Sequence, residues 1–196
     1  MMHAVTHLGY EAEFARSPKE LEMAKYIILP GVGSAKATME SLGEMKILDA
    51  LENAVMRRET YFLGICVGMQ ILFEHSEEED ATCLGWLKGK VVKFDSSKVR
   101  VPQMGWNYVE FINETSVPAV ENNYFYFVNS YYAKPEEKQD IWATADYHGP
   151  FAAAICRKNI FATQFHVEKS GEAGLSLLKT FLSRSLGDFC PTLPER

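Results

Sequence analysis

Of the residues able to do covalent or proton-transfer chemistry, Cys66 has the most telling neighbours. It sits in Gly64-Ile65-Cys66-Val67-Gly68, a glycine, x, nucleophile, x, glycine run. The apolar stretch Thr60-Tyr61-Phe62-Leu63 ahead of it predicts a buried strand, and the residues from Gly68 to His75 predict a helix. A strand-to-helix bend of this kind is the setting of a nucleophile elbow, which thrusts the reactive side chain out at the top of a sheet. Side chains beside so sharp a bend have no room, hence the glycines. The helix N-terminus favours a thiolate, and the Val67 N–H is placed to hold an oxyanion. The competing reading is a glycine-flanked core cysteine, since most free cysteines are small buried hydrophobes.

A thiolate nucleophile needs a proton shuttle. Of His3, His7, His75, His148 and His166, four read as surface or capping residues, and no further ligand accompanies His3 and His7 to make a metal site. His166 ends the apolar run Phe161-Ala162-Thr163-Gln164-Phe165, and Glu168 follows two residues later. In a parallel sheet the strand C-termini share one edge, so His166 can meet Cys66 across 100 residues of chain. Glu168 can then accept from the second ring nitrogen and fix the tautomer. Taken without the elbow, a strand-end histidine with an incidental carboxylate is the plainer reading.

The elements that must position these groups alternate in the first half. Met1 to Leu8 reads as the end of a helix, Tyr10 to Phe14 as a strand, and Tyr26-Ile27-Ile28-Leu29 as a strand closed by Pro30-Gly31-Val32-Gly33. Between Glu44 and Arg58 the spacing of Ile47, Leu48, Leu51, Ala54 and Val55 predicts an amphipathic helix. Strand, helix, strand, helix at this pitch predicts βαβ units and a parallel sheet. The second half reads as strands: Val91 to Phe94, Tyr108 to Ile112, Tyr124 to Tyr132, Ile141 to Tyr147, Phe151 to Arg157 and Ile160 to Phe165, several in antiparallel hairpins. A helix from about Gly171 to Ser185 closes the pattern, and Glu77-Glu78-Glu79-Asp80 reads as a solvated loop.

Composition narrows the class. The 196 residues, 47% of them hydrophobic and 23% charged, suit a single soluble domain spanning 1–196. No apolar run approaches the ~20 residues of a bilayer span, and the start lacks the form of a signal peptide, so the expected location is the cytoplasm. A net charge of −6 argues against nucleic acid as partner. The basic stretch Lys88, Lys90, Lys93, Lys98 and Arg100 reads as a solvated surface, with a docking surface the minority reading. Cys66, Cys83, Cys156 and Cys190 form no C-x-x-C and are expected to be reduced thiols, with no metal and no cofactor.

Together these segments resemble the class I (triad) glutamine amidotransferases. The resemblance rests on Gly64-Ile65-Cys66-Val67-Gly68-Met69-Gln70 and on Gln164-Phe165-His166-Val167-Glu168-Lys169-Ser170. Leu29-Pro30-Gly31-Val32-Gly33, Val101-Pro102-Gln103-Met104-Gly105-Trp106-Asn107 and Phe125-Tyr126-Phe127-Val128-Asn129-Ser130-Tyr131 extend it towards the glutaminase subunits of imidazole glycerol phosphate synthases. It implies an α/β, flavodoxin-like class I glutaminase fold, a mostly parallel central sheet with added antiparallel strands. It implies glutamine as substrate, Cys66 as nucleophile, His166 as acid and base, and Glu168 as the orienting third member. Gln70, one turn after Cys66, would bind glutamine along with Ser130 and Tyr131. Gly31, Val32 and Gly33 match the loop that supplies or withholds a second oxyanion donor beside Val67. The implied partner is a (β/α)8-barrel cyclase subunit that receives the ammonia in a heterodimer serving histidine synthesis. Tyr126, Trp106, Asn107 and Lys169 would lie near that interface; as residues alone they read equally as core, turn and solvated positions.

Three departures qualify the match. The family opens with a β-strand and glycine-rich turn ahead of the helix that Met1 to Leu8 finishes, so the first central strand is expected to be missing from this sequence, through a misplaced start or a truncation. Val167 stands where the family has proline, which loosens the placement of His166 and Glu168 without removing a reactive group. Asn129 stands where histidine is usual. Other readings remain: a paralogue feeding ammonia to a sugar-modifying pathway, a subunit that kept the fold and lost activity, and, behind both, a stand-alone cysteine hydrolase.

Overall fold

The computed structural model describes residues 1–112 and 123–183; Cys190 and residues 184–185 of the expected last helix lie outside them. The order of elements is α1 (Met2–His7), α2 (Pro18–Met23), β1 (Tyr26–Gly31), α3 (Ala35–Glu44), α4 (Leu48–Glu52), β2 (Tyr61–Cys66), α5 (Val67–Gln70), β3 (His75–Ser76), β4 (Ala81–Thr82), β5 (Gly89–Lys93), β6 (Gln103–Phe111), β7 (Tyr124–Asn129), β8 (Tyr131–Pro135), β9 (Ile141–Asp146), β10 (Pro150–Arg157), β11 (Ile160–Thr163) and α6 (Gly171–Ser183).

The main sheet runs β1-β2-β11-β10-β9-β6-β7. Its parallel part is β1, β2 and β11, and the antiparallel strands extend it from β11 outward through β10, β9, β6 and β7. A smaller sheet, β4-β3-β5-β8, stands beside it. All six residues of β2 are buried, as expected of a strand covered on both faces. From α6, Leu177, Leu178, Phe181 and Leu182 join the same apolar core as Phe62, Leu63 and Ile65. Each large side chain so covered contributes about 1.5–3 kcal/mol of transfer free energy.

Several sequence expectations are corrected. Tyr10 to Phe14 is not a strand. Among the described residues β1 is the edge of its sheet; Tyr10 to Phe14 does not extend it, and Phe14 is exposed. The helix expected between Glu44 and Arg58 begins only at Leu48, because Lys46 takes φ 54° and breaks the run, and it ends in a π-helical turn over Asn53–Arg57. An unforeseen helix, α3, precedes it, started by Ser34, whose Oγ accepts from Ala37 N at 3.2 Å. The stretch from Tyr124 to Tyr132 is two strands in different sheets, parting at Ser130.

The helix after Cys66 stops at Gln70. Leu72 N and Phe73 N donate three residues back, to Met69 O and Gln70 O, and Glu74 N turns away to Gly89 O. These tighter bonds end the helix before a second full turn. Cys156 is disulfide-bonded, so the expectation of reduced thiols fails there, while Cys66 and Cys83 are free. Among the described residues, no helix is long and apolar enough to cross a membrane.

Candidate active site

β2 delivers Cys66 to the C-terminal edge of the parallel strands, and the chain turns there into α5. The bend is tight. Cys66 has φ 55° and ψ −108°, a conformation that costs a non-glycine residue about 1–3 kcal/mol and tends to mark functional sites. A Cβ on Gly68 would overlap the Leu29 carbonyl oxygen, one on Gly64 would overlap Gly68 O, and one on Gly31 would come within 2.7 Å of Val67 Cβ. The glycines thus let β1, β2 and α5 approach backbone to backbone. Because α5 has only four residues, the macrodipole expected to favour the thiolate is slight, and what remains is local. As first residues of the helix, Val67 and Gly68 carry N–H groups without an intrahelical acceptor.

β11 runs parallel to β2 with Thr163 opposite Ile65, so the residues just beyond its end face the elbow. His166 is held there by its backbone: its N–H donates to Tyr126 O at 2.9 Å, and its carbonyl accepts from Ser170 Oγ at 2.6 Å. Its ring Nδ1 lies 2.9 Å from Glu168 Oε1, which leaves Nε2 as the ring nitrogen open to Cys66, with which His166 shares the lining of one cleft. The Val167 departure therefore does not part the pair; Val167 is fully buried in a 3-10 turn that presents Glu168.

Burial works against the imidazolium, but the Cys66 side chain and the hydrogen-bonded Glu168 carboxylate overcome it and raise the His166 pKa to about 9. For Glu168, burial pushes the pKa up, yet the hydrogen bond from His166 and its own backbone N–H prevail and hold it below the usual carboxylate range. A base poised beside a sulfur, with a carboxylate behind it, is the arrangement that activates a thiol for acyl transfer. The other free thiol makes the contrast: burial alone pushes Cys83 up to about 11.

A cleft of about 320 Å³ opens onto Cys66 and His166, at the small end of the roughly 300–1,000 Å³ typical of ligand sites. It is lined by the expected residues Val32, Gly33, Val67, Gln70, Ser130, Tyr131 and Lys169. Gly31 is not among them; it is the last residue of β1, paired with Cys66, and it makes room for Val67. Gln70 donates both N–H groups internally, to Tyr131 O and to Gln164 Oε1, each at 3.0 Å, so it can meet a ligand only through Oε1. Asn129 also lines the cleft, bonding Tyr131 O through Nδ2 at 2.9 Å, while its buried Oδ1 has no partner.

Two lining or neighbouring residues were not foreseen. Glu78 belongs to the acidic run expected to be a solvated loop, yet it lines the cleft and its Oε2 accepts the Ala35 N–H at 3.1 Å. Glu77 likewise accepts from Lys93 N. Nothing in four consecutive acids distinguishes the one that turns inward. Gln164, fully buried, donates to Cys66 Sγ at 3.6 Å; its place two residues before His166 was the available signal.

The expected interface residues gather on the outer strands. Trp106 is exposed and packs edge-on against the half-buried Tyr126, with centroids 6.0 Å apart, which excludes the core reading for Trp106. Asn107 is half-buried and bridges Asp146 O and Tyr108 N. In the basic stretch, Lys88, Lys90 and Lys98 pair with Glu74, Glu77 and Asp95, as suits a solvated face.

The glutamine amidotransferase class-I family model matches residues 1–184. The imidazole glycerol phosphate synthase subunit HisH of Leptospira interrogans is 44% identical over 182 residues, covering 90% of this chain and 89% of that protein. The subunit of the same name from Bacillus subtilis (strain 168) is 42% identical over 185 residues, covering 91% and 87%. A crystal structure of a glutamine amidotransferase shares the fold, with a TM-score of 0.72 at 20% identity over 92% of this chain and 89% of that one. The glutaminase domain of Trypanosoma brucei CTPS, solved with bound acivicin, does so at a TM-score of 0.56 and 14% identity, over 97% and 89%. With its family model spanning nearly the whole sequence and relatives matched over most of their length, the chain belongs to the class-I glutamine amidotransferase family.

Proposed function

We propose that this chain is the glutaminase subunit of an imidazole glycerol phosphate synthase, hydrolysing glutamine and passing the ammonia to a (β/α)8-barrel cyclase. The observation that carries the reading is that His166, held by Glu168 at 2.9 Å, lines one amino-acid-sized cleft together with Cys66. The name printed for relatives at 42–44% identity supplies the choice of synthase.

The chemistry follows from the geometry. Cys66 Sγ attacks the side-chain amide carbon of glutamine, and the oxyanion is received by the Val67 N–H, with a second donor from Val32–Gly33. His166, protonated, gives its proton to the departing nitrogen, and ammonia leaves. The neutral ring then takes a proton from water, which attacks the thioester and frees glutamate and the thiolate. Glu168 holds Nδ1 throughout and stabilises the imidazolium. Gln70 Oε1, Ser130 and Tyr131 hold the substrate, and the Glu78 carboxylate in the same cleft suits its α-ammonium group.

The partner would dock on the exposed strip of β6 and β7, where Met104, Trp106 and Tyr108 face outward beside Tyr124. Lys169, on the cleft rim, lies close to Tyr126 of that strip through Ser170 Oγ, which accepts the Tyr126 N–H at 3.0 Å. An aromatic-rich patch of this kind is common at interface centres.

The test is Cys66→Ala in a complex with a cyclase subunit. Glutamine-dependent synthesis should fall by about 10⁴-fold or more, while synthesis from added ammonia is kept. Loss of both would make Cys66 structural and sink the assignment.

A further inference from the structure

From the hydrogen bonds behind the cleft we infer that Gln164 is a positioning residue, one amide that both supports the Cys66 thiolate and fixes which way Gln70 faces the substrate; this rests on the glutaminase reading above. Gln164 is fully buried between them. Its Nε2 donates to Cys66 Sγ at 3.6 Å, and its Oε1 accepts from Gln70 Nε2 at 3.0 Å.

The direction of this chain of bonds is set by the backbone. Tyr131 O can only accept, and it accepts from Gln70 Nε2 and from Asn129 Nδ2. Gln70 must therefore point its nitrogen inward, which makes the facing atom of Gln164 its oxygen. The remaining end of Gln164, its N–H, is then turned on the sulfur. Reversing Gln164 would set donor against donor, and reversing Gln70 would set acceptor against acceptor, each in a buried place and at a cost of about 1–3 kcal/mol. The Gln164 backbone N–H is itself tied to Ala153 O at 2.8 Å, so the amide starts from a fixed point on the sheet.

Two consequences follow for the reaction. Cys66 Sγ has a donor in Gln164 and an acceptor in Val128 O, 3.8 Å away. The thiol can give its hydrogen to Val128 O, whereas the thiolate, an electron-rich acceptor, gains from the Gln164 N–H. Gln70, with both donors engaged, shows the cleft only its Oε1 and so takes N–H groups of the substrate. Substrate placement and nucleophile support thus pass through one side chain that never touches the ligand.

The experiment compares the full wild-type chain with Gln164→Met and Gln70→Met, each checked by circular dichroism, using two electrophiles. Iodoacetamide reports the sulfur alone, and a diazoketone analogue of glutamine reports sulfur and pocket together. Gln164→Met should slow Cys66 alkylation by iodoacetamide about tenfold and by the analogue about a hundredfold. Gln70→Met should slow only the analogue. If Gln164→Met does not fold, the Gln164 side-chain amide resonance of the wild type should shift when Cys66 is alkylated and again when glutamine binds. Wild-type rates with iodoacetamide in folded Gln164→Met, or an unmoved resonance, would overturn the inference. A wild-type Cys66 no more reactive than Cys83 would instead overturn the glutaminase reading on which it rests.

Discussion

The two walls of the cleft are built differently. On one side Cys66, Val67, Gln70, Gln164 and His166 are all buried, with Gln164 bonded to both Cys66 and Gln70, and packed so closely that an added methyl at Gly64 or Gly68 meets backbone. On the other, Val32 is 86% exposed, and the place of a Cβ on Gly33 has nothing within 4 Å. Behind it the Glu78 carboxylate accepts the Ala35 N–H at 3.1 Å. The atoms that must stay aligned through bond making and breaking lie on the packed wall. The proposed second oxyanion donor lies on the open one, where a peptide has space to turn. A site assembled this way can keep its nucleophile ready while its oxyanion hole is completed by an outside event such as partner docking.

Breaking the packed wall should have the largest effects. His166→Ala removes acid and base together and should lower glutamine-dependent turnover by about 10³-fold or more, leaving ammonia-dependent synthesis by the complex intact; steady-state assays with either nitrogen source decide it. Gly68→Ala forces the Leu29 carbonyl aside and should destabilise the chain by about 3 kcal/mol, read from urea unfolding. Gly33→Ala is the matched change across the cleft. It should cost under about 0.5 kcal/mol of stability and yet lower turnover several-fold, if the open wall has to turn. Equal stability losses for the two glycines would erase the distinction between the walls.

How much of this was legible in the sequence follows the same division. The packed wall is written locally: glycines two residues either side of Cys66, and a carboxylate two residues after His166, are spacings that a short motif carries. That the strand before His166 ends at the edge where Cys66 sits was expected of a parallel sheet; that β11 is the direct neighbour of β2 was not. The strand expected at Tyr10 to Phe14 failed because a strand is defined by its neighbour, which a short local pattern does not name, and none of these five residues is buried. The helix after Cys66 was expected to run to His75; Ile71, Leu72 and Phe73 are buried, but their carbonyls accept from Leu84, Leu87 and Gly85, in the segment ahead of β5. Glu78 and Gln164 were missed because their roles depend on contacts with Ala35 and Gln70, at separations of 43 and 94 residues.

The electrostatics of the packed wall can be tested alone. The His166 pKa is raised in the folded chain from 6.5 to about 9. A group whose folded pKa lies above its unfolded value binds more protons in the native state, so its contribution to stability is whole below about pH 6.5 and fades as pH rises towards 9. The stability difference between wild type and His166→Gln, from urea unfolding across pH 6 to 9.5, should therefore shrink with rising pH. The corresponding difference for Gly33→Ala should stay flat, because no titrating group is removed. A His166→Gln difference that grows with pH would mean the ring is neutral in the native state, with burial prevailing over Cys66 and Glu168. The resting site would then hold a thiol beside a neutral imidazole, and the proton would move only when glutamine arrives.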